Sequence, residues 1–321
     1  MESILVTGGA GFIGSNIAEA LTDRGSRVVV IDDLSTGRME NILEIREQDN
    51  LKFIKGSILD SMLLRTTVRE ENVSLICHQA AVPSVSKSIK DPLRTMDVNT
   101  LGTTTVLQVA AECGCKRVVF ASSSSVYGDT PELPKREAMS LNPKSPYAVS
   151  KVSKEMLASV FSSLYKLETV GLRYFNVYGR KQDPASDYAA VIPKFITKAL
   201  NNEAITIEGD GLQTRDFSYI DDVVAANISA LTLKNVAGKV FNIAYGERIS
   251  VKDLAKLIKE TTRSSSELVY LPPRPGDVRD SLADVELARR HLAFDPKFNI
   301  RLGLFETIAW YRDHAEKRCA A

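Results

Sequence analysis

Histidine and cysteine are scarce in this chain: its 321 residues hold three histidines and four cysteines. A structural zinc site needs four such ligands in a tetrahedral set. Cys113-Gly114-Cys115 is a close pair of thiols, but no second Cys or His pair stands ready to complete it, so no metal site is expected. Cys77 lies within an apolar run and Cys319 far downstream, and all four read as reduced, structural or incidental thiols. His78, His291 and His314 are scattered and read as structural. Charge of one sign is lacking too. Forty-one Lys and Arg face forty Asp and Glu, a net charge of +1, which removes the electrostatic case for nucleic acid or a membrane as main partner. No apolar run approaches the roughly 18–20 residues of a membrane span. Met1-Glu2-Ser3 leads straight into an apolar strand with no basic region or cleavage site, which predicts a cytoplasmic location.

What is present is ordinary globular composition, 44% hydrophobic and 25% charged, arranged in a regular alternation. Short β-branched runs at Ile4–Thr7, Arg27–Ile31, Leu51–Lys55, Leu75–Gln79, Arg117–Ala121 and Thr169–Arg173 read as strands. Between them, Ile13–Arg24, Met62–Glu70, Leu93–Cys113 and Tyr147–Leu164 carry the three-four apolar spacing of helices. Strand-helix alternation predicts a parallel sheet covered on both faces. After about residue 178 the rhythm loosens. Helical segments at Val191–Leu200, Asp221–Leu231 and Val251–Lys259 are separated by Gly- and Pro-rich turns. The expected division is therefore a first domain over 1–178 and a smaller α/β lobe over 179–321, with a strand exchanged back into the first sheet allowed for.

Gly8-Gly9-Ala10-Gly11-Phe12-Ile13-Gly14 follows the first strand and opens the first helix. Glycines at 8, 11 and 14 permit a tight turn, close approach of backbone to a pyrophosphate, and close helix packing. The helix N-terminus adds unpaired N–H groups and a positive dipole end. The second strand ends at Ile31-Asp32-Asp33, and Asp32 stands where a carboxylate accepts from an adenosine ribose. No Arg occupies that spot, so a 2′-phosphate would meet negative charge. The pattern predicts NAD rather than NADP.

Tyr147-Ala148-Val149-Ser150-Lys151 places a phenol and an ammonium at i and i+4, on one helix face. A tyrosine ordinarily titrates near pH 10, and neighbouring positive charge favours its phenolate. Upstream, Ser122-Ser123-Ser124-Ser125-Val126-Tyr127 sits at the C-terminal end of a strand, the edge where open α/β sheets bind ligands. Glycine loop, strand-end serines and Tyr-x-x-x-Lys together resemble the short-chain dehydrogenase/reductase superfamily, whose fold is a Rossmann-type doubly wound parallel sheet. The resemblance covers essentially the whole chain. Leu172-Arg173-Tyr174-Phe175-Asn176, Arg215-Asp216-Phe217-Ser218-Tyr219 and Arg274-Pro275-Gly276-Asp277 look like the substrate-side motifs of its extended, nucleotide-sugar branch.

Similarity to the UDP-hexose 4-epimerases implies roles by position. Tyr147 is the base, Lys151 binds the nicotinamide ribose, and Ser123 is the catalytic serine with Ser124 beside it on the sugar. Phe12, Ile13, Ser57, Ile58, Ala80, Ala81, Asn99 and Tyr174 line the cofactor groove. Ser84, Asn176, Arg215, Arg274, Asp277 and Ser281 face the UDP-sugar. Two positions depart from the galactose-pathway pattern, Pro83 where Lys is usual and Ser57 where an Asp meets adenine. Ser124 and Ser125 cannot act as the acid and base of a sugar 4,6-dehydratase, and UDP-glucuronate decarboxylases usually carry Glu at the Ser125 position. Arg180-Lys181-Gln182-Asp183-Pro184 and Tyr188-Ala189-Ala190-Val191 look like the branch acting on N-acetylated UDP-hexosamines, in which a small gate residue such as Ser281 leaves room for the acetyl group. UDP-glucose-only and UDP-glucuronate epimerases, a net UDP-sugar oxidoreductase and a non-catalytic NAD-binding regulator are the alternatives. The apolar surplus of Leu93–Cys113 and Tyr147–Leu164 implies, on the same resemblance, a homodimer joined through four helices.

Overall fold

The computed structural model describes residues 2–184, 190–273 and 278–319. Six strands follow in chain order: β1 (Ser3–Thr7), β2 (Arg27–Asp32), β3 (Leu51–Lys55), β4 (Val73–His78), β5 (Arg117–Ser123) and β6 (Glu168–Tyr174). With Lys239–Ile243 they form one seven-stranded parallel sheet in which β3, β2, β1, β4, β5, β6 and Lys239–Ile243 lie side by side. The order reverses between β1 and β4, which opens a crevice beyond their C-terminal ends. The Rossmann-type α/β fold is thus as expected, and its seventh strand comes from the second half of the chain.

Side-chain alternation explains the layering. Ile4, Val6, Val28, Val30, Val119, Val170 and Leu172 face one side of the sheet. Leu5, Val29, Ile31, Ile76, Val118 and Phe120 face the other. Both sides are buried, so the strands read as continuous apolar runs. One face is covered by helix α1 (Phe12–Asp23) and by Ile220–Thr232, which pack on each other. The other is covered by Ser61–Glu70, Gly102–Glu112 and Pro146–Tyr165. In the second half, Ile205–Glu208 pairs with Leu268–Leu271, Thr214–Asp216 with Arg248–Ser250, and Val177–Tyr178 with Ser218–Tyr219.

The single helix expected over Leu93–Cys113 is one rod with a fault in it. Pro92–Met96 passes through a π-turn at Asp97–Leu101 before Gly102–Glu112 resumes. A π-turn widens the helix by one residue and re-aims the side chains around it. Here it drives Asn99 wholly into the interior.

A polar network runs through this core. Arg173 on β6 makes a two-pronged pair with Glu155, 2.9 Å from Nε to Oε1 and 2.7 Å from Nη2 to Oε2. Both side chains are nearly inaccessible to solvent. Arg173 Nη1 donates to the Tyr127 hydroxyl at 2.7 Å, which donates to Asn242 Oδ1 at 2.6 Å. Asn242, on the seventh strand, donates to the carbonyls of Lys135 and Asp284.

Candidate active site

A cleft of about 1220 Å³ opens at the switch point. Ligand pockets commonly hold about 300–1,000 Å³, so this one has room for more than one small molecule. Its first wall is the loop after β1. Gly8 has φ +70°, and a Cβ there would lie 2.7 Å from Ala80 Cα. A Cβ on Gly14 would lie 2.1 Å from the Gly8 carbonyl oxygen. Helix α1 has no side-chain cap at Gly11 and no acidic residue in its first turn, which leaves its dipole end for an anion. Asp32 lines the same wall and accepts from the backbone N–H of Ala10 at 3.0 Å and of Leu34 at 2.8 Å. Burial raises its carboxyl above the usual range, partly offset by those bonds. Cradle, helix end and carboxylate fit a dinucleotide. The cleft also holds an arginine that the sequence did not flag, Arg38, and its guanidinium is paired with Asp183.

The catalytic candidates meet on the opposite wall. Ser145 caps Pro146–Tyr165 by accepting from the Ala148 N–H at 3.1 Å, and Pro146 occupies the first helical turn. That start fixes Tyr147 at the cleft and Lys151 one turn deeper. Lys151 Nζ lies 5.3 Å from the Tyr147 ring centroid and donates to the Ala121 carbonyl at 3.1 Å. Ser123 ends β5 in the same cleft, where its Oγ accepts from the Ser125 N–H at 3.2 Å. Tyr174, opposite Ser123 in the sheet register, presents its ring to the cleft. Its hydroxyl bonds to Gln79 and Asn227, and burial raises it far above the ordinary tyrosine range.

Other expected residues divide into those on the surface of the cleft and those behind it. Gly8, Gly11, Phe12, Ile13, Gly14, Asp32, Ile58, Ala80, Ala81, Ser84, Asn176 and Arg215 line it. Asn99, expected on the groove, stands behind its wall. Its side chain accepts from the Val82 N–H at 2.7 Å and donates to Ser150 Oγ at 3.1 Å. Ser57 and Ser124 are absent from the lining. Ser281 is one contact removed: Asn176 Nδ2 lies 3.5 Å from its Oγ, and its N–H donates to the Thr214 carbonyl at 3.1 Å. Asn176 itself sits at φ +35°, a left-handed conformation that Asn tolerates better than most residues. Arg215 is steadied by the carbonyls of Thr214 and Arg279. Arg274, Asp277, Tyr188 and Ala189 lie outside the described residues.

Sequence reasoning missed the residues that hold the others. Ser122 donates to Glu155, tying the strand that ends in Ser123 to the helix that carries Tyr147 and Lys151. Glu155 follows Lys151 by four residues, and Arg173 is a charge inside an apolar strand; those two anomalies were the available signal. His78 proves structural: it is fully buried between Thr7 at 2.7 Å and Thr103 at 3.0 Å, and burial keeps it uncharged. Burial likewise pushes the thiols of Cys77 and Cys115 up to about 12.

The fold and this cleft define a dinucleotide-binding α/β protein with a tyrosine–lysine pair. Residues 4–244 match the NAD dependent epimerase/dehydratase family, and the chain belongs to it. It is 37% identical to the UDP-glucose 4-epimerase of Mycolicibacterium smegmatis, over 97% of this chain and 99% of that one. The crystal structure of a Thermotoga maritima UDP-glucose 4-epimerase with UDP-glucose superposes with a TM-score of 0.93 at 37% identity, covering 98% and 99% of the two chains. A Methanobrevibacter ruminantium UDP-N-acetylglucosamine 4-epimerase, in complex with UDP-N-acetylmuramic acid, gives 0.93 at 38% identity with the same coverage. NAD is the cofactor of the family.

Lys154 generates a test of the core beneath this site. Its amine is fully buried without a hydrogen-bond partner among the described residues, and burial together with Lys151 drives its pKa well below 10.5. Below pH 10 the unfolded chain therefore binds the proton that the folded state refuses, so the penalty vanishes above about pH 10 and grows as pH falls. Lys154→Met raises unfolding free energy at pH 7 by about 1–3 kcal/mol, and chemical denaturation shows a flatter pH dependence between 7 and 10. A less stable variant contradicts this account.

Proposed function

We propose that the chain is a UDP-hexose 4-epimerase acting on UDP-GlcNAc/UDP-GalNAc and also on UDP-glucose/UDP-galactose. The carrying observation is the meeting of Tyr147, Lys151 and Ser123 in one cleft with the glycine cradle. When bound, NAD supplies a reversible acceptor for the hydride of sugar carbon 4. Tyr147 takes the proton of the 4-hydroxyl, with Ser123 sharing the hydrogen bond. Lys151, fixed by the Ala121 carbonyl, places its Nζ 5.3 Å from the Tyr147 ring centroid. Arg215 and Asn176, on the far wall, anchor the diphosphate side of the substrate, with Arg274 and Asp277 assigned to the same task by position. A sugar held only by its UDP end would be free to turn in place and present either face of carbon 4 to Tyr147 and Ser123. No net redox change occurs, so one bound cofactor serves many turnovers. Pure protein with UDP-GlcNAc and no added nucleotide is expected to epimerise without nicotinamide consumption; stoichiometric consumption would instead mark an oxidoreductase.

Tyr147→Phe keeps the ring and removes the phenolic oxygen. Its kcat is expected to fall by roughly 10²–10⁴, with UDP-sugar binding by calorimetry retained. Near-normal turnover would exclude Tyr147 as the base.

Acceptance of the N-acetyl group rests on Ser281. A pocket discriminates weakly against a smaller ligand and strongly against a clashing one. Serine beside Asn176 leaves volume there, and a tyrosine ring would fill it without cheap relief. In Ser281→Tyr, kcat/KM for UDP-GlcNAc and UDP-GalNAc is expected to be lost while that for UDP-glucose is kept or improved. Wild-type preference for the acetylated sugars is expected at about 10–200-fold. Unchanged handling of acetylated substrates by the variant would remove Ser281 from this role.

The working unit in this reading is a homodimer. Leu93, Leu101, Met156, Val160, Leu164 and Tyr165 are exposed on Pro92–Met96, the π-turn and Pro146–Tyr165. Two copies joined through these helices would bury more than about 1,200 Å² in total. Analytical ultracentrifugation at micromolar concentration is expected to give a dimer; a monomer would refute it.

A further inference from the structure

The cleft wall contains an ion pair between two stretches of chain that are far apart in sequence. Arg38 lies in the loop after β2, and Asp183 lies shortly after Val177–Tyr178. Both line the cleft, and their side chains meet there. They keep 41% and 31% of their solvent exposure, so the pair stands at the rim of the cleft and not in its floor. The same lining includes Gly11, Phe12, Ile13 and Gly14, the turn and helix end suited to a pyrophosphate.

Each partner is seated on that same turn and helix. The Arg38 N–H donates to the Ala10 carbonyl at 2.9 Å, and Asn41 Nδ2 donates to the same carbonyl at 2.9 Å. The loop is thereby fastened to the glycine turn, just ahead of α1. The Asp183 segment is fastened further along. Asn16 Nδ2, one turn into α1, reaches the Arg180 carbonyl at 3.4 Å. Arg180 and Lys181 pair with Glu19, two turns in, at 3.1 Å and 3.0 Å. The Gln182 carbonyl accepts from the Tyr311 hydroxyl. With its two roots held so, the Arg38–Asp183 pair closes a ring of chain that runs from Ala10 through Arg38 and Asp183 back to Asn16. The first turn of α1 is the part of the helix that this ring spans.

A ring closed by a rim ion pair opens most easily at that pair. We propose that Arg38 and Asp183 form a latch at the pyrophosphate end of the cleft, which slows the escape of bound NAD and does not itself hold the phosphates. The latch deepens the reading of a cofactor that stays bound through many turnovers. A direct contact between Arg38 and the pyrophosphate is the competing role, and the two differ in sign. If Arg38 served the phosphates, removing Asp183 would release its guanidinium to them and tighten the hold. In a latch, removing either partner loosens it.

The test reads cofactor release with no sugar present. Protein loaded with isotopically labelled NAD is chased with excess unlabelled NAD, and the retained label is followed in time. Asp183→Asn and Arg38→Met are each expected to release NAD about two- to fivefold faster than wild type, the range for one partly exposed ion pair. The exchanged pair, Arg38→Asp with Asp183→Arg, is expected to return toward the wild-type rate. Added salt screens a rim pair, so wild-type release is expected to quicken with ionic strength more than that of Asp183→Asn. Equal release from wild type and both single variants overturns the proposal. Slower release from Asp183→Asn overturns it too, and gives Arg38 to the pyrophosphate. Faster release that the exchanged pair fails to restore overturns the assignment to this ion pair. Each of these outcomes leaves the epimerase reading untouched, because no substrate takes part.

Discussion

The buried pair between Arg173 and Glu155 is the constraint on which the wall bearing Tyr147, Lys151 and Ser123 depends. Taking two charges out of water costs several kcal/mol per ion unless geometry and further hydrogen bonds recover it. Here the fork is bidentate, Ser122 donates to the same carboxylate, and Tyr127 accepts from the third guanidinium nitrogen. The three elements so joined are the strand that ends in Ser123, the helix that carries Tyr147 and Lys151, and the strand that ends at Tyr174. A sliding of any one past the others would strand a charge in the core. Hydrophobic contact between sheet and helix tolerates small slips, since apolar side chains repack. A two-pronged ion pair does not. Register between phenol, ammonium and serine is therefore set by Arg173, Glu155 and Ser122.

The same network reaches across to the second half of the chain. Asn242 receives the Tyr127 hydroxyl and passes two hydrogen bonds on to Lys135 and Asp284. Lys135 in turn exchanges backbone bonds with Leu282 and Asp284. The segment that bears Ser281 is thereby stitched to the catalytic core through the seventh strand. Cofactor half and substrate half are less separable than a two-lobe description suggests: sheet edge, helix Ile220–Thr232 and the 282–284 backbone are shared property.

Much of this was legible in the sequence, for definite reasons. Fully buried parallel strands must be apolar runs, so β1 to β6 stood out, and the glycine loop needs residues without Cβ where a Cβ on Gly8 or Gly14 would stand 2.7 Å or less from neighbouring backbone. Tyr147 and Lys151 were readable because helical periodicity fixes which residues share a face. The seventh strand was not. Lys239–Ile243 carries an Asn and a Lys among its five residues, and its place is set by its pairing with Val170–Tyr174, far back in the chain, not by its own pattern. The π-turn was equally silent, since its apolar spacing continues that of the flanking helix. Asn99 was placed on the groove because the motif marks a position and not a direction. The widened turn points it inward, where it fixes the Val82 peptide that does line the cleft.

Asp216 shows how the substrate wall can vary without the fold varying with it. Its carboxylate is fully buried, accepts from the N–H of Ala283 at 3.0 Å and of Gly246 at 3.2 Å, and is pushed up to about 7 by burial. Its backbone carbonyl accepts from Asn176 at 2.8 Å. Ser281 is held by its own N–H on the Thr214 carbonyl. Every one of these anchors on the 281–284 segment engages backbone, so the position of residue 281 is fixed whatever side chain it carries. The side chain at that point meets Asn176, whose Nδ2 lies 3.5 Å from its Oγ. That separation leaves the main chain of the 281–284 segment held by Asp216 and Thr214, while the tyrosine–lysine–serine geometry stays as the Arg173–Glu155 pair sets it.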